Sequence, residues 1–214
     1  MRIIIFGAPG VGKGTQAKLI ATKLNIAHIS TGDILRAAIK NETEMGLQAK
    51  AIVERGELVP DEIVGGIIKD TLKEERCNSG FILDGYPRTI AQAEILTSIF
   101  KELGTETIHL IKLEAKDEII VDRISNRMVC GVCGNILARS LVTENFACPN
   151  CKAEESYYKR KDDDEEVIKK RLSVYHEQTA PVFNYYSDRA HVIEIDGTKN
   201  IDEISKDILA QLSN

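Results

Sequence analysis

GAPGVGKGT, residues 7 to 15, stands directly behind the short run RIIIF, residues 2 to 6. Arg2–Phe6 is β-branched, continuously apolar after its first residue, and ends at Gly7, the pattern of a buried strand. Lys13–Leu24 then carries Ala17, Ile20, Ala21 and Leu24 at helical spacing. Gly7 to Lys13 fits G-x-x-x-x-G-K, and it lies between a strand and a helix, where that motif works. Glycines there let backbone N–H groups converge on one cavity, and the helix N-terminus adds positive potential. Lys13 would reach the outer phosphates of a nucleotide. Position 14 is Gly where the usual pattern has Ser or Thr, and Thr15 follows one place later, so a metal-binding hydroxyl is not indicated. The plainer alternative is a tight turn with a surface lysine; the strand and helix on either side favour the phosphate loop.

Outward from this loop, short apolar runs alternate with helical patterns. Strands are expected at Ile26–Ile29, Phe81–Asp84, Thr107–Leu113 and His191–Ile195. Helical patterns cover Asp33–Arg55 with a break near Gly46, a stretch from Pro60-Asp61 to near Cys77, Thr89–Phe100, Ala115–Met128, residues 160–172 and Ile201–Leu212. GELVP, residues 56 to 60, reads as a loop. Strands alternating with helices mean a parallel sheet covered on both faces, an α/β fold. Neither a repeat nor a low-complexity segment is seen. The one interruption runs from about Val129 to Tyr158, a candidate inserted subdomain.

The chain has 214 residues, 43% apolar and 29% charged, with a net charge of −5. One large domain, or one domain with a sizeable insertion, is expected. The acidic balance argues against a general nucleic-acid binder. No run of eighteen apolar residues occurs, and MRIIIF has neither a charged-then-apolar leader nor a cleavage site. A cytoplasmic protein without nucleic-acid or membrane partners is therefore expected.

The interruption holds Cys130-x-x-Cys133 and, after fourteen residues, Cys148-x-x-Cys151. In a reducing compartment such pairs favour metal over disulfide. Four cysteines supply every ligand zinc needs, so the site would be closed and structural. A disulfide pair and a nucleic-acid zinc ribbon are the alternatives. Only Arg139 and Lys152 are basic in this stretch, against Glu144, Glu154 and Glu155, which would not attract a phosphate backbone. Cys77 has no evident partner.

Several charged groups fall at sheet edges or beside the insertion. DGYPR, residues 84 to 88, follows a strand at the edge where open α/β sheets bind ligands. Asp84 there could hold Mg²⁺ through water, or merely cap a turn, and Arg88 could bind phosphate in a fork. Arg36 follows STGD; Arg123 and Arg127 precede the cysteine stretch, and Arg160 and Arg171 follow it. So many arginines favour a multi-phosphate site, because two phosphorylated substrates repel and need a dense cationic setting to meet in line.

GAPGVGKGT, STGDILR, GELVP, DGYPRTIAQA, DRISNR, RKDD and GTKNIDEI together resemble adenylate kinase, in family order and over nearly the whole chain. The resemblance implies a P-loop three-layer sandwich with a five-stranded parallel sheet, a small helical AMP-binding domain and an inserted zinc-bearing lid. It implies a core of residues 1–29, 60–127 and 160–214, an AMP-binding domain of 30–59 and a lid of 128–159. It implies reversible, Mg²⁺-dependent phosphoryl transfer from ATP to AMP giving two ADP, in adenine nucleotide homeostasis and purine salvage, by a monomer. On the ATP side it implies Gly10, Val11, Gly12, Lys13, Gly14 and Thr15 around the phosphates, with Arg127, Ile136, Leu137 and Lys199. On the AMP side it implies Thr31, Arg36, Glu57, Leu58, Val59, Gly85, Tyr86, Pro87, Arg88 and Gln92. Arg123, Arg160 and Arg171 would reach the phosphates on lid closure, beside Lys13, Asp84 and Arg88.

Several of these positions have local alternatives. Thr89-x-x-Gln92 is a capping-box pattern, so Gln92 can serve its own helix as well as a base. Thr31 could be a loop hydroxyl, the 57–59 loop a helix connector, and Gly85 only a turn residue. The lid of the family is zinc-bearing in some members, and this one resembles the four-cysteine form, with Leu137 in place of an aromatic residue common there. A kinase of another nucleoside monophosphate and a zinc-ribbon module with a nucleotide switch are the rival readings.

Overall fold

Alternate residues of each central strand enter opposite cores. The computed structural model describes residues 1–105, 107–143 and 146–213; Glu144 of the charge count above lies outside them. Strands β1 (Arg2–Phe6), β2 (Ala27–Ser30), β3 (Phe81–Asp84), β4 (His109–Glu114) and β8 (His191–Asp196) form one sheet in the order β2-β3-β1-β4-β8. All four pairings are parallel. Ile3 and Ile5 of β1 join Ile111 and Ile193 in one cluster; Ile4 and Phe6 join Leu83 and Leu110 in the other. Such continuous burial is why these strands read as unbroken apolar runs.

The first face is covered by α1 (Lys13–Leu24), α6 (Asp117–Ser125), α7 (Glu165–Val174) and α9 (Ile201–Leu212), which contribute Ile20, Ile120, Ile168 and Ile208. The second is covered by α4 (Asp61–Leu72), α5 (Ile90–Glu102) and α8 (Ala180–Tyr186), through Ile68, Leu96 and Tyr186. Each such fully buried large side chain contributes about 1.5–3 kcal/mol over an exposed one. The result is the expected three-layer α/β sandwich.

Between β2 and α4, helices α2 (Thr31–Lys40) and α3 (Glu44–Glu54) form a hairpin. The helical break falls at Asn41–Thr43, not near Gly46. Thr43 caps α3 by accepting from the Gly46 N–H at 3.1 Å. Gly46 is instead where the two helices touch, since a Cβ there would lie 2.1 Å from the Ala38 carbonyl oxygen. The pattern from Pro60 to Cys77 also divides, with α4 ending at Leu72 and a separate 3₁₀ turn at Glu75–Cys77.

The cysteine stretch folds as a small antiparallel sheet of β5 (Arg127–Cys130), β6 (Ile136–Ala138) and β7 (Tyr157–Tyr158), in the order β6-β5-β7. Helix α6 stops at Ser125, so Arg127 and Met128 belong to this sheet rather than to the helix expected through Met128. Lys161–Asp163 is a 3₁₀ turn, and α7 starts only at Glu165. Tyr175–Thr179 is a π-turn running into α8. The turn ends at Thr179, just before Pro181, whose missing N–H and ring do not fit the α-helical bonding of an unbroken helix, so the altered π bonding falls where the proline requires a change. No helix among the described residues is long and apolar enough to cross a membrane.

Candidate active site

The phosphate loop is shaped by what lies behind it. Gly7, at φ +145°, passes so close to β4 that a Cβ would sit 2.5 Å from the Leu113 carbonyl oxygen. Gly10, at φ +83°, is backed by Ile124 at 2.4 Å on the same test. Gly12 ends the loop at φ 115° and leaves the N-terminus of α1 without a side-chain cap, and no acidic residue stands in its first turn. Uncapped N–H groups at a positive helix end make an anion site. Gly14 also has a local reason: a Cβ there would press on Oδ2 of Asp84 at 3.2 Å.

Lys13 folds back over the loop, donating from Nζ to the carbonyls of Gly7 at 2.7 Å and Ala8 at 2.8 Å. Loss of water pushes its pKa down to about 7; Asp84 opposes this, and Arg88, Arg171 and Arg127 add to it. A lysine so placed is short of negative charge, which a polyphosphate would bring.

Thr31, Arg36 and Arg88 line the same cleft as Lys13. Thr31 donates to the Gly85 carbonyl at 2.8 Å, joining α2 to the loop after β3. Arg36 is paired with Asp33 at 2.5 Å. Arg88 donates from Nε to the Gly85 carbonyl at 2.8 Å, while its own carbonyl accepts from Thr179 at 3.0 Å. Partial withdrawal from water lowers the pKa of both guanidinium groups. The 57–59 loop sits against α7 because Gly56, at φ +73°, has no Cβ to strike Arg171. Glu57 points outward to Arg55 at 2.8 Å, whereas Val59 is buried. Tyr86 is buried and donates to the Gln92 carbonyl at 3.2 Å.

Gln92 does serve its own helix: its N–H is capped by Thr89 at 3.1 Å and its Oε1 accepts from the Arg88 N–H at 2.7 Å. It also lines the same cleft as Thr31, Arg36 and Arg88.

Three arginines from the insertion and its flank meet two carboxylates that sequence reasoning missed. Arg160 forks onto Asp162 at 2.9 and 2.6 Å, and Arg171 reaches Oδ2 of the same residue at 3.2 Å. Arg127 forks onto Asp163, which is wholly buried. Burial works against ionisation of Asp162, but Arg160 outweighs it, with help from Arg171 and Arg36, and brings its pKa to about 2. Arg171 is itself lowered to about 10 by burial, with Asp162 opposing. In the sequence, Asp162 and Asp163 look like helix-start acids, and their spacing beside Arg160 was the available signal. Arg123 donates to the carbonyls of Gly197 at 2.7 Å and Val11 at 3.3 Å, which ties it to the phosphate loop, and it lines the same cleft. Lys199 ends on Asp207 at 2.7 Å.

Apart from the zinc ligands, every residue singled out in the sequence for this site lines one cleft of about 1560 Å³, and Ile136 and Leu137 of β6 do so from the insertion. Ligand pockets usually span about 300–1,000 Å³, so this one has room for more than one small molecule.

The four cysteines come together as the spacing predicted, with all four sulfurs within 4.8 Å of one another. Cys130 and Cys151 lie 3.7 Å apart and Cys133 and Cys148 3.6 Å apart. A tetrahedron of Zn–S bonds of about 2.3 Å requires sulfurs about 3.8 Å apart, whereas a disulfide needs about 2.05 Å. The set therefore fits a structural zinc ion. Each cysteine pair sits in the same kind of turn, closed by Gly134 N–H to the Cys130 carbonyl at 2.9 Å and by Lys152 N–H to the Cys148 carbonyl at 2.8 Å. Tyr157 donates to Cys148 Sγ at 3.4 Å and accepts from Asn135 at 2.7 Å, and Asn135 lines the cleft.

Comparison with known proteins agrees with this geometry. Residues 5–191 match the adenylate kinase family. The adenylate kinase of Caldicellulosiruptor bescii is 46% identical over 99% of both chains. That of Methanosarcina mazei is 46% identical over 100% of this chain and 99% of its own. That of Fusobacterium nucleatum is 47% identical over 97% of this chain and 96% of its own. With an uncapped phosphate loop, a cluster of arginines and a four-thiol knot around one double-sized cleft, and with relatives matched over their full length, the chain belongs to the adenylate kinase family.

Proposed function

We propose a division of labour across the cleft for the reversible, Mg²⁺-dependent transfer of a phosphoryl group from ATP to AMP that family membership assigns to this chain. The observation that carries it is that two unlike sets of residues line one cavity. One set is a bare helix N-terminus with Lys13; the other is Arg36 and Arg88 with the DGYPR loop. Residues Gly10–Thr15, Arg127, Ile136, Leu137 and the backbone at Lys199 would hold ATP. Thr31, Arg36, the loop of Glu57, Leu58 and Val59, the run Gly85, Tyr86, Pro87 and Arg88, and Gln92 would hold AMP. Residues 30–59 would act as the acceptor domain, 128–159 as the lid, and the remainder as the core.

In the transfer, an AMP phosphate oxygen bonds to the γ-phosphorus as the bond to the β–γ bridging oxygen breaks, leaving two ADP. Lys13, Arg88, Arg123, Arg160 and Arg171 would stabilise the charge spread over the transferring group, Arg123 from its place against the phosphate loop. Asp162 and Asp163 pair with the arginines of the lid flank, and phosphates would compete with these carboxylates for the same guanidinium groups. Asp84, beside Gly14, would help to hold the Mg²⁺ that comes with ATP, and that ion would supply charge neutralisation. The lid, tied together by zinc, would exclude water that otherwise hydrolyses ATP. We place the enzyme in the cytoplasm as a monomer, a setting in which its thiols stay reduced for metal.

The test is direct. Purified protein with Mg·ATP and each nucleoside monophosphate in turn should form ADP with AMP, two per ATP consumed. Turnover with another monophosphate but not with AMP would overturn this reading.

A further inference from the structure

The side-chain amide of Gln92 is held at both ends. Its Oε1 accepts from the Arg88 N–H at 2.7 Å, and its Nε2 donates to Oδ1 of Asp61 at 2.8 Å. The second oxygen of Asp61 accepts from the Thr89 hydroxyl at 3.0 Å, and Thr89 in turn caps the Gln92 N–H at 3.1 Å. These contacts close a ring between the first turn of α4 and the first turn of α5. Asp61 follows Val59 by two residues, so the ring joins the 57–59 loop to the DGYPR loop. Gln92 is 2% exposed, which leaves water little part in this arrangement.

A glutamine amide has two orientations of nearly equal shape, with opposite hydrogen-bonding character. Here the neighbours choose between them. A carboxylate only accepts, so the atom facing Asp61 must be Nε2. A backbone N–H only donates, so the atom facing Arg88 must be Oε1. Nε2 carries two hydrogens, and Asp61 takes one. The other has no acceptor among the described residues, while Gln92 lines the acceptor half of the cleft.

We propose that Asp61 is a specificity-determining positioning residue, which holds the Gln92 amide so that the acceptor site offers a hydrogen-bond donor to the purine ring. The inference rests on the proposed placement of the acceptor base at Gln92. Adenine N1 carries a lone pair and accepts such a donor. A 6-oxopurine carries a hydrogen on N1, so two donors would face each other and both would go unpaired. Discrimination of this kind, in which a buried polar group is left without a partner, is stronger than discrimination by size.

The experiment compares three acceptors with Mg·ATP: AMP, purine riboside 5′-monophosphate and inosine 5′-monophosphate. Purine riboside monophosphate keeps the N1 lone pair and lacks the 6-amino group, so its ratio of kcat/KM to that of the inosine nucleotide reports mainly on N1. The wild-type ratio should be about tenfold or more, the scale of one unpaired group. In Asp61→Asn and Asp61→Ala, whose melting curves check folding, the ratio should fall severalfold toward unity while the KM for ATP holds. Asn keeps the shape of Asp61 but can donate as well as accept, so it remains informative if the alanine variant is poorly folded. Loss of activity toward all three acceptors at an unchanged ratio would make Asp61 merely structural and overturn the proposal. Gln92→Leu separates the two readings. It should abolish the ratio; if it does not, the base does not meet Gln92, and the site assignment fails together with the proposal. If Gln92→Leu abolishes the ratio while both Asp61 variants keep it, the assignment stands and the proposal alone falls.

Discussion

Lys13 holds its ammonium against two backbone carbonyls in a place where water has been largely removed and three arginines stand nearby. Its pKa of about 7 has two consequences with definite signs. In the unfolded chain the group titrates near 10.5, so between about 7 and 10.5 the unfolded state binds more protons, and this residue makes stability rise with pH in that window. Below about pH 7 the cost of its buried charge is present in full. Polyphosphate binding should restore the charged form, so ATP binding at pH 8 should take up close to one proton and at pH 6 almost none. Calorimetry in two buffers of different ionisation enthalpy measures this uptake. Lys13→Met should abolish the uptake and cut turnover by about 10³-fold or more, the scale of a lost transition-state contact, with an unchanged or higher melting temperature. Arg88 makes a contrasting case. Its Nε is spent on the Gly85 carbonyl, which leaves the terminal nitrogens to fork onto a phosphate. Arg88→Lys should therefore cost about 10–100-fold in kcat/KM for AMP, since an ammonium is a single point charge, and leave the KM for ATP nearly unchanged, as steady-state titration of each substrate would show.

Among the elements, the lid depends most on something other than packing. Its strands are four, three and two residues long, far too little sheet to stand alone. Cys130 and Cys148 are buried at its centre, where a hydrophobic core would otherwise be. Cys133→Ser, or removal of metal after partial unfolding, should lower stability by a few kcal/mol, about 5–10 °C in a chain of this size. Assayed well below its own midpoint, the variant should keep far more activity than Lys13→Met, because four thiolates leave no coordination position for substrate. Elemental analysis and melting curves with and without metal check both points. The same elements show how much the sequence disclosed. The five core strands were legible because burial on both faces makes them unbroken apolar runs, and the metal site because ligand spacing is local. The boundary at Ser125 was not, because ILE-rich α6 and the start of β5 have no turn residue between them other than Asn126. Gly46 misled for the opposite reason: it serves a helix–helix contact, a tertiary fact that resembles a break in one dimension. The roles of Asp61 and Thr179 were invisible because each acts on a partner supplied by a distant part of the chain, whereas Asp162 stood beside Arg160 in the sequence but read as a helix-start acid because the periodicity does not reveal the 3₁₀ turn there.

At the scale of the whole molecule, the loops after β1 and β3 open onto one cleft, and Arg127, Arg160 and Arg171, which flank the insertion, line it as well. The Lys161–Glu54 pair at 3.2 Å spans the gap between the lid flank and α3. Both groups are well exposed, so the pair is worth well under about 1 kcal/mol and cannot by itself keep the cleft shut. In the proposed reading, ligand charge would take the place of Asp162 and Asp163 as the partner of the arginines. A single molecule bearing two adenosines joined through five phosphates would engage both sets of residues at once. Its second half binds at an effective concentration in the millimolar range or above, so it should bind about 10²–10⁴-fold more tightly than ATP or AMP alone. The gain should fall steeply with salt, since most of it is charge meeting charge. The variants then divide the cleft. Lys13→Met should weaken the bridged ligand and ATP but leave AMP affinity nearly intact, and Arg88→Lys should weaken the bridged ligand and AMP but leave ATP nearly intact. Calorimetric titration of each variant with the three ligands decides the matter. A bridged ligand that binds no better than ATP, or that loses affinity in only one of the two variants, would mean that the two sets of residues do not act on one pair of substrates.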